Sequence, residues 1–139
     1  MTEGIRYFFV YGTLRPDDNS KVPWTQEFLK SMAYGKARIR GARLYVDSYP
    51  VVLYPDKDAT ASDIVTGYVV TTQDDALLAE KLRYADDVEG HPTHYQRIVW
   101  DGVEILEGNG PTTVTAWVYT RSSTDEGAKL IASGDWLQR

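Results

Sequence analysis

Three stretches of this chain are dense in β-branched and aromatic side chains: IRYFFVY at residues 5–11, IVTGYVVT at 64–71 and TTVTAWVYT at 112–120. Such side chains pack best on a pleated surface, so each run reads as a strand. The first has no polar alternation and stops at Gly12, as a buried strand does. The third alternates strictly. Gly67 in the second marks a bulge or a close approach of another backbone. Shorter extended segments are expected at 36–39, at 42–46 after Gly41, and at 49–54, where Pro50 suits an edge or first position. Residues 95–100 and 103–106 flank Asp101-Gly102, a hairpin signal. Residues 55–62 and 108–111 read as loops.

Helical spacing is limited to three places. Pro23 precedes a short pattern over 24–33, with Phe28, Leu29 and Met32 in register. The clearest helix covers 73–85, with Leu77, Leu78, Leu82 and Ala85 on one face. Thr72 and Asp75 fit a capping box, and Gly90 is a natural stop beyond Asp86-Asp87-Val88-Glu89. Ser123 and Glu126 suggest a second capping box, opening a helix over 125–132. Strands that follow one another, with few helices between, imply an α+β fold: a closed or strongly curved sheet with short helices packed outside.

With 139 residues the chain is expected to form a single domain, 1–139. A net charge of −5 argues against nucleic acid, which needs clustered Lys and Arg. No apolar run suits a membrane span, and the first residues lack a secretory pattern. A cytoplasmic protein is the expectation. There is no cysteine and there are two histidines. Thiol nucleophiles and cysteine metal sites are thereby excluded, and no metal or cofactor is expected. Carboxylates, hydroxyls and backbone amides are left to carry any chemistry.

Among the carboxylates Glu89 stands out, between an amphipathic helix and a strand. It is either an exposed charge beside a helix-ending glycine, or a partly buried acid able to exchange a proton near neutral pH. The segment Tyr11-Gly12-Thr13-Leu14-Arg15 is either an ordinary strand-ending turn or a concavity of amides suited to a carboxylate. It has no GxxxxGK[ST] pattern for nucleotide phosphate. Tyr95 and Arg97 share one strand face, which is either solvated or the wall of a polar pocket. His91 and His94 read as surface residues, or one of them as the rim of a pocket.

Taken in order, Tyr11-Gly12-Thr13-Leu14-Arg15, then Asp86, Glu89 and Gly90, then Tyr95 and Arg97, then Ala116-Trp117-Val118-Tyr119 resemble the γ-glutamylcyclotransferase-like superfamily, which includes the AIG2-like proteins. Arg43-Leu44-Tyr45, Tyr49-Pro50 and Gly134-Asp135-Trp136 look like further landmarks. Ala85 departs from the leucine that many members carry before the aspartate. The resemblance implies a small mixed β-barrel of about six strands with peripheral short helices. It implies Glu89 as general acid/base in a reaction that closes a γ-glutamyl group on its own α-amine and releases 5-oxoproline. Tyr11, Gly12, Thr13, Leu14, Tyr95 and Tyr119 would then bind the substrate, with Arg15 and Arg97 in support. The implied partner is a small γ-glutamyl molecule, bound by a monomer or weak dimer, with no nucleic acid or membrane. A non-catalytic small-molecule-binding module on the same fold is the alternative. A related lyase or deprotecting reaction on a γ-glutamylated metabolite would use the same site.

Overall fold

The computed structural model of the chain describes residues 4–19, 21–108 and 112–139. Its elements run β1 (Tyr7–Val10), α1 (Pro23–Leu29), β2 (Ala33–Arg40), β3 (Leu44–Val46), β4 (Pro50–Val52), β5 (Ile64–Thr71), α2 (Asp75–Glu89), β6 (Gln96–Ile105), β7 (Thr113–Thr120) and β8 (Lys129–Ile131), with a 3₁₀ turn at Trp136–Gln138. Five strands close a barrel in the order β1-β5-β2-β6-β7, and three form a second sheet, β4-β3-β8. β7 returns parallel to β1, while the other pairings are antiparallel. The barrel therefore has five strands where about six were expected, because the short segments at 44–46 and 50–52 pair with each other and with β8 instead.

The unbroken apolar character of the first strand now has a cause. Phe9 and Tyr11 point into the barrel with Ile39, Val65, Val69 and Val118. Phe8 and Val10 point out, against Phe28, Val70, Ala85 and Trp117 beneath the helices. A strand covered on both faces gains from apolar residues at every position. β7 divides the same way, with Ala116 and Val118 inside and Trp117 and Tyr119 on the helix side. Gly67 lies against β1, where a Cβ would stand 2.1 Å from the Val10 carbonyl oxygen.

Four local expectations are corrected. The predicted helix over 125–132 is not formed; Lys129–Ile131 is β8, paired to β3, with Ile131 opposite Leu44. The apolar contact with the core outweighs the local capping signal. α1 stops at Leu29, because residues 33–35 are drawn into pairing with β5. Asp101-Gly102 does not turn the chain. β6 runs straight through it with a register shift between Trp100 and Val103, and its partner is β7. The cap of α2 is Asp74, whose carboxylate accepts from the Leu77 amide at 3.0 Å. Thr72 instead accepts from the Asp74 amide. Of the loop expected at 108–111, residues 109–111 lie outside the described residues.

Candidate active site

α2 continues four residues past its predicted end and finishes on Glu89. Gly90 then caps it in the left-handed region, at φ 66° and ψ 37°, where glycine has no Cβ to strain. The cap is also crowded: a Cβ at Gly90 would stand 2.9 Å from the Cβ of His94. The chain folds straight back on the helix end. The His94 amide donates to the Gly90 carbonyl at 2.7 Å, and the Tyr95 amide to the Glu89 carbonyl at 3.1 Å. One capped helix end thus delivers Glu89, His94 and Tyr95 to a single cavity of about 270 Å³.

The opposite wall comes from the exit of β1. The Arg15 amide closes a turn on the Gly12 carbonyl at 3.0 Å. Pro50 packs against this turn so closely that a Cβ at Gly12 would lie 2.3 Å from the Pro50 Cγ. Among the described residues no acceptor takes the Thr13 or Leu14 amide. Arg15 anchors the turn from behind. It is 2% exposed and forks onto Asp17 at 2.8 Å through Nε and Nη2, with Asp135 at 2.7 Å. Trp24 of α1 donates to the Thr13 hydroxyl at 3.2 Å, and the Thr25 hydroxyl donates to the Thr13 carbonyl.

Tyr11, Gly12, Thr13, Leu14, Glu89, Tyr95 and Tyr119 all line this cavity. Arg15 and Arg97 do not, and stand behind its wall. The three tyrosines spend their hydroxyl protons on the protein. Tyr11 donates to the Tyr119 carbonyl and accepts from the Val52 amide, at 2.6 and 3.2 Å. Tyr95 donates to the Pro50 carbonyl at 2.6 Å. Tyr119 donates to Asp86 Oδ1 at 2.7 Å. Burial is the largest influence on all three and raises their pKa values, so they remain neutral phenols. They are struts of the wall, and any substrate contact they make is through the ring or a lone pair.

Glu89 is different. The residue is half-buried, and burial alone pushes the pKa of its carboxyl from the usual 4.5 up to about 7. No cation offsets that burial, since none of the lining residues is Lys or Arg and no other is Asp or Glu. The carboxyl is thereby poised to take and return a proton at neutral pH. Neither the exposed-charge reading of Glu89 nor the solvated-face reading of Tyr95 holds, because Tyr95 is 5% exposed.

Trp24, Tyr49, Pro50 and His94 also line the cavity. The sequence leaves His94 open to a place at a pocket rim and gives Tyr49-Pro50 only as a landmark. Asp86, quoted as part of a motif, accepts from both Arg97 and Tyr119. Its place three residues before Glu89, on the same helix face, was the available signal. His91 is also no bare surface residue, since its Nδ1 accepts from the Arg97 amide at 3.0 Å.

Barrel, turn and helix end together define a small-barrel protein with a cavity in whose lining Glu89 is the carboxylate. The chain belongs to the γ-glutamyl cyclotransferase, AIG2-like family, whose model matches residues 8–138. It is 31% identical over 124 residues to the γ-glutamylaminecyclotransferase of Mus musculus, covering 84% of this chain and 78% of that one. The Homo sapiens protein of the same name is 30% identical over 131 residues, covering 83% and 78%. The crystal structure of an AIG2-like protein from Mus musculus superimposes with a TM-score of 0.66 at 23% identity, covering 88% of this chain and 80% of that one. Among the described residues no helix is long and apolar enough to cross a membrane.

Proposed function

We propose that this chain converts a γ-glutamyl amine or γ-glutamyl amino acid to 5-oxoproline and the free amine, with Glu89 as general acid/base. The observation that carries this reading is Glu89, half-buried without a cation and facing the amides of the 11–15 turn across one cavity. The names of the relatives at about 30% identity support the same reaction class.

The chemistry asks little of the protein. The substrate's own α-amine is the nucleophile, so no residue need form a covalent bond. Holding the glutamyl chain folded for ring closure is worth up to ~7–11 kcal/mol of barrier. The cavity has no arginine for the substrate's carboxylate, and the Thr13 and Leu14 amides take that part. The amine nitrogen attacks the γ-carbonyl carbon and passes a proton to Glu89. The tetrahedral intermediate then expels the original amide nitrogen, which receives the proton back from Glu89. Proton transfer of this kind contributes about 10²–10⁴-fold. Neutral tyrosines around the carboxyl exclude water and keep its proton affinity high.

The test is a panel of γ-glutamyl amines and γ-glutamyl dipeptides incubated with the protein and assayed for 5-oxoproline. Release from at least one, with stoichiometric free amine, is expected. Absence of release from all of them would sink the reading.

A further inference from the structure

We propose that Trp24, Tyr49 and His94 form the leaving-group subsite of this cavity, and that the subsite takes an amine bearing an uncharged aromatic substituent. The inference rests on the γ-glutamyl reading above and deepens it.

Exposure sorts the cavity by depth. Tyr95 and Tyr119 are 5% and 4% exposed, whereas Tyr49 is 51% exposed. His94 is exposed, and Trp24 and Glu89 are half-buried. The glutamyl group reacts beside Glu89, so the amine portion must lead outward, past Trp24, Tyr49 and His94. Contacts within the protein hold this rim together. Trp24 is tied to Thr13 at 3.2 Å. The Tyr49 ring meets His94 edge-on at 6.0 Å between centroids, and His94 meets Tyr95 at 4.9 Å. The ladder continues the aromatic wall from the cavity floor to solvent, and a planar substituent extends it by the same edge and face contacts.

Trp24, Tyr49 and His94 bring no Lys, Arg, Asp or Glu to the rim. Glu89 is the single ionisable acid or base of the cavity lining apart from His94 and the tyrosines. Beyond His94 lies a smaller cleft of about 120 Å³ that includes Arg121. That guanidinium is already taken by Asp47 at 3.0 Å and Asp125 at 3.5 Å. A charged substituent entering the rim loses hydration without a counter-ion.

The test compares the γ-glutamyl conjugates of phenethylamine, of 1,4-diaminobutane (cationic) and of glycine (anionic). Two readouts are taken: kcat/KM for 5-oxoproline release, and calorimetric affinity for Glu89→Gln, which separates binding from reaction. The phenethylamine conjugate is expected to lead both charged ones by about tenfold in each readout. Tyr49→Ala and His94→Ala, both exposed side chains, should shrink that lead to about threefold or less. If no conjugate reacts but the phenethylamine conjugate still binds about tenfold tighter, the reaction fails and the subsite stands. Preference for either charged conjugate, equal binding of all three, or a lead that survives both alanine variants overturns the proposal.

Discussion

The Tyr119 hydroxyl donates to Asp86 Oδ1 at 2.7 Å, one helical turn before Glu89. Arg97 donates to the other carboxylate oxygen of Asp86 and lies over the Trp117 ring at 4.6 Å. Strands β6 and β7 thus both grip the last turn of α2, the turn that carries Glu89. Asp86 ties this helix end to the barrel. Its carboxylate holds the helix end in register with the barrel, and its backbone carbonyl accepts from the His91 amide at 2.9 Å.

Asp86→Asn keeps an acceptor for Tyr119 but turns an amide or loses charge toward Arg97. The expected result is a fall in kcat of about tenfold or more, with KM changed little, since an imprecise proton donor affects chemistry before binding. The check is steady-state kinetics together with the pH profile. A variant that lowers only thermal stability, with kcat and its pH dependence intact, would assign Asp86 a purely structural part.

Glu89 accepts a proton only when ionised, and its pKa is about 7. The value belongs to the free protein, so kcat/KM should fall as pH drops below about 7, approaching tenfold per pH unit. The α-ammonium of the free substrate adds its own limb at higher pH. A kcat/KM that stays level from pH 5 to pH 8 speaks against a proton shuttle of this pKa.

The same shift carries a stability cost with a definite sign. Below pH 4.5 Glu89 is protonated in both folded and unfolded chains, and its burial costs no ionisation energy. Between 4.5 and about 7 the unfolded chain loses the proton first, so stability falls; above about 7 the penalty is complete. Its full size is at most about 3 kcal/mol. Glu89→Gln should therefore leave the melting temperature nearly unchanged at pH 4 and raise it at pH 8. Thermal melts at the two pH values check this, and equal shifts at both would contradict the burial of the carboxylate.

Gly12 is required by the close approach of Pro50. A methyl group placed 2.3 Å from the Pro50 Cγ must push the turn and β4 apart. Gly12→Ala should cost about 1–3 kcal/mol, the range for an overpacked interior. Because the Pro50 carbonyl also holds the Tyr95 hydroxyl, KM should rise with it. Chemical denaturation and kinetics on the same variant test both effects, and a fully stable variant with unchanged KM would refute the contact.

Much of this architecture was legible in the residues, for reasons that differ from place to place. Strong β patterns at residues 7–10, 64–71 and 113–120 survive because burial and local preference agree there. Glu89 is singled out by its place between a helix and a strand, but its role as acid/base comes only from the family resemblance of Asp86, Glu89 and Gly90. The depth of its burial was not legible, since Tyr11, Pro50 and Tyr119 reach it from distant parts of the chain. β8 was misread because pairing with β3 overrides a capping pattern, an outcome decided by residues about 85 positions away. Asp101-Gly102 was misread because its turn signal is equally served by a bulge inside a long strand. The rim residues Trp24, Tyr49 and His94 come from three separate segments, so no local pattern joins them.

The most direct test of the account is 5-oxoproline release by Glu89→Gln, measured beside the wild-type protein with a γ-glutamyl amine that the wild type consumes. Glutamine keeps the shape and cannot carry the proton. The variant should keep its circular dichroism spectrum and its affinity for substrate, and lose at least about a hundredfold in kcat. A folded variant that forms 5-oxoproline at the wild-type rate would show that Glu89 is not the proton shuttle.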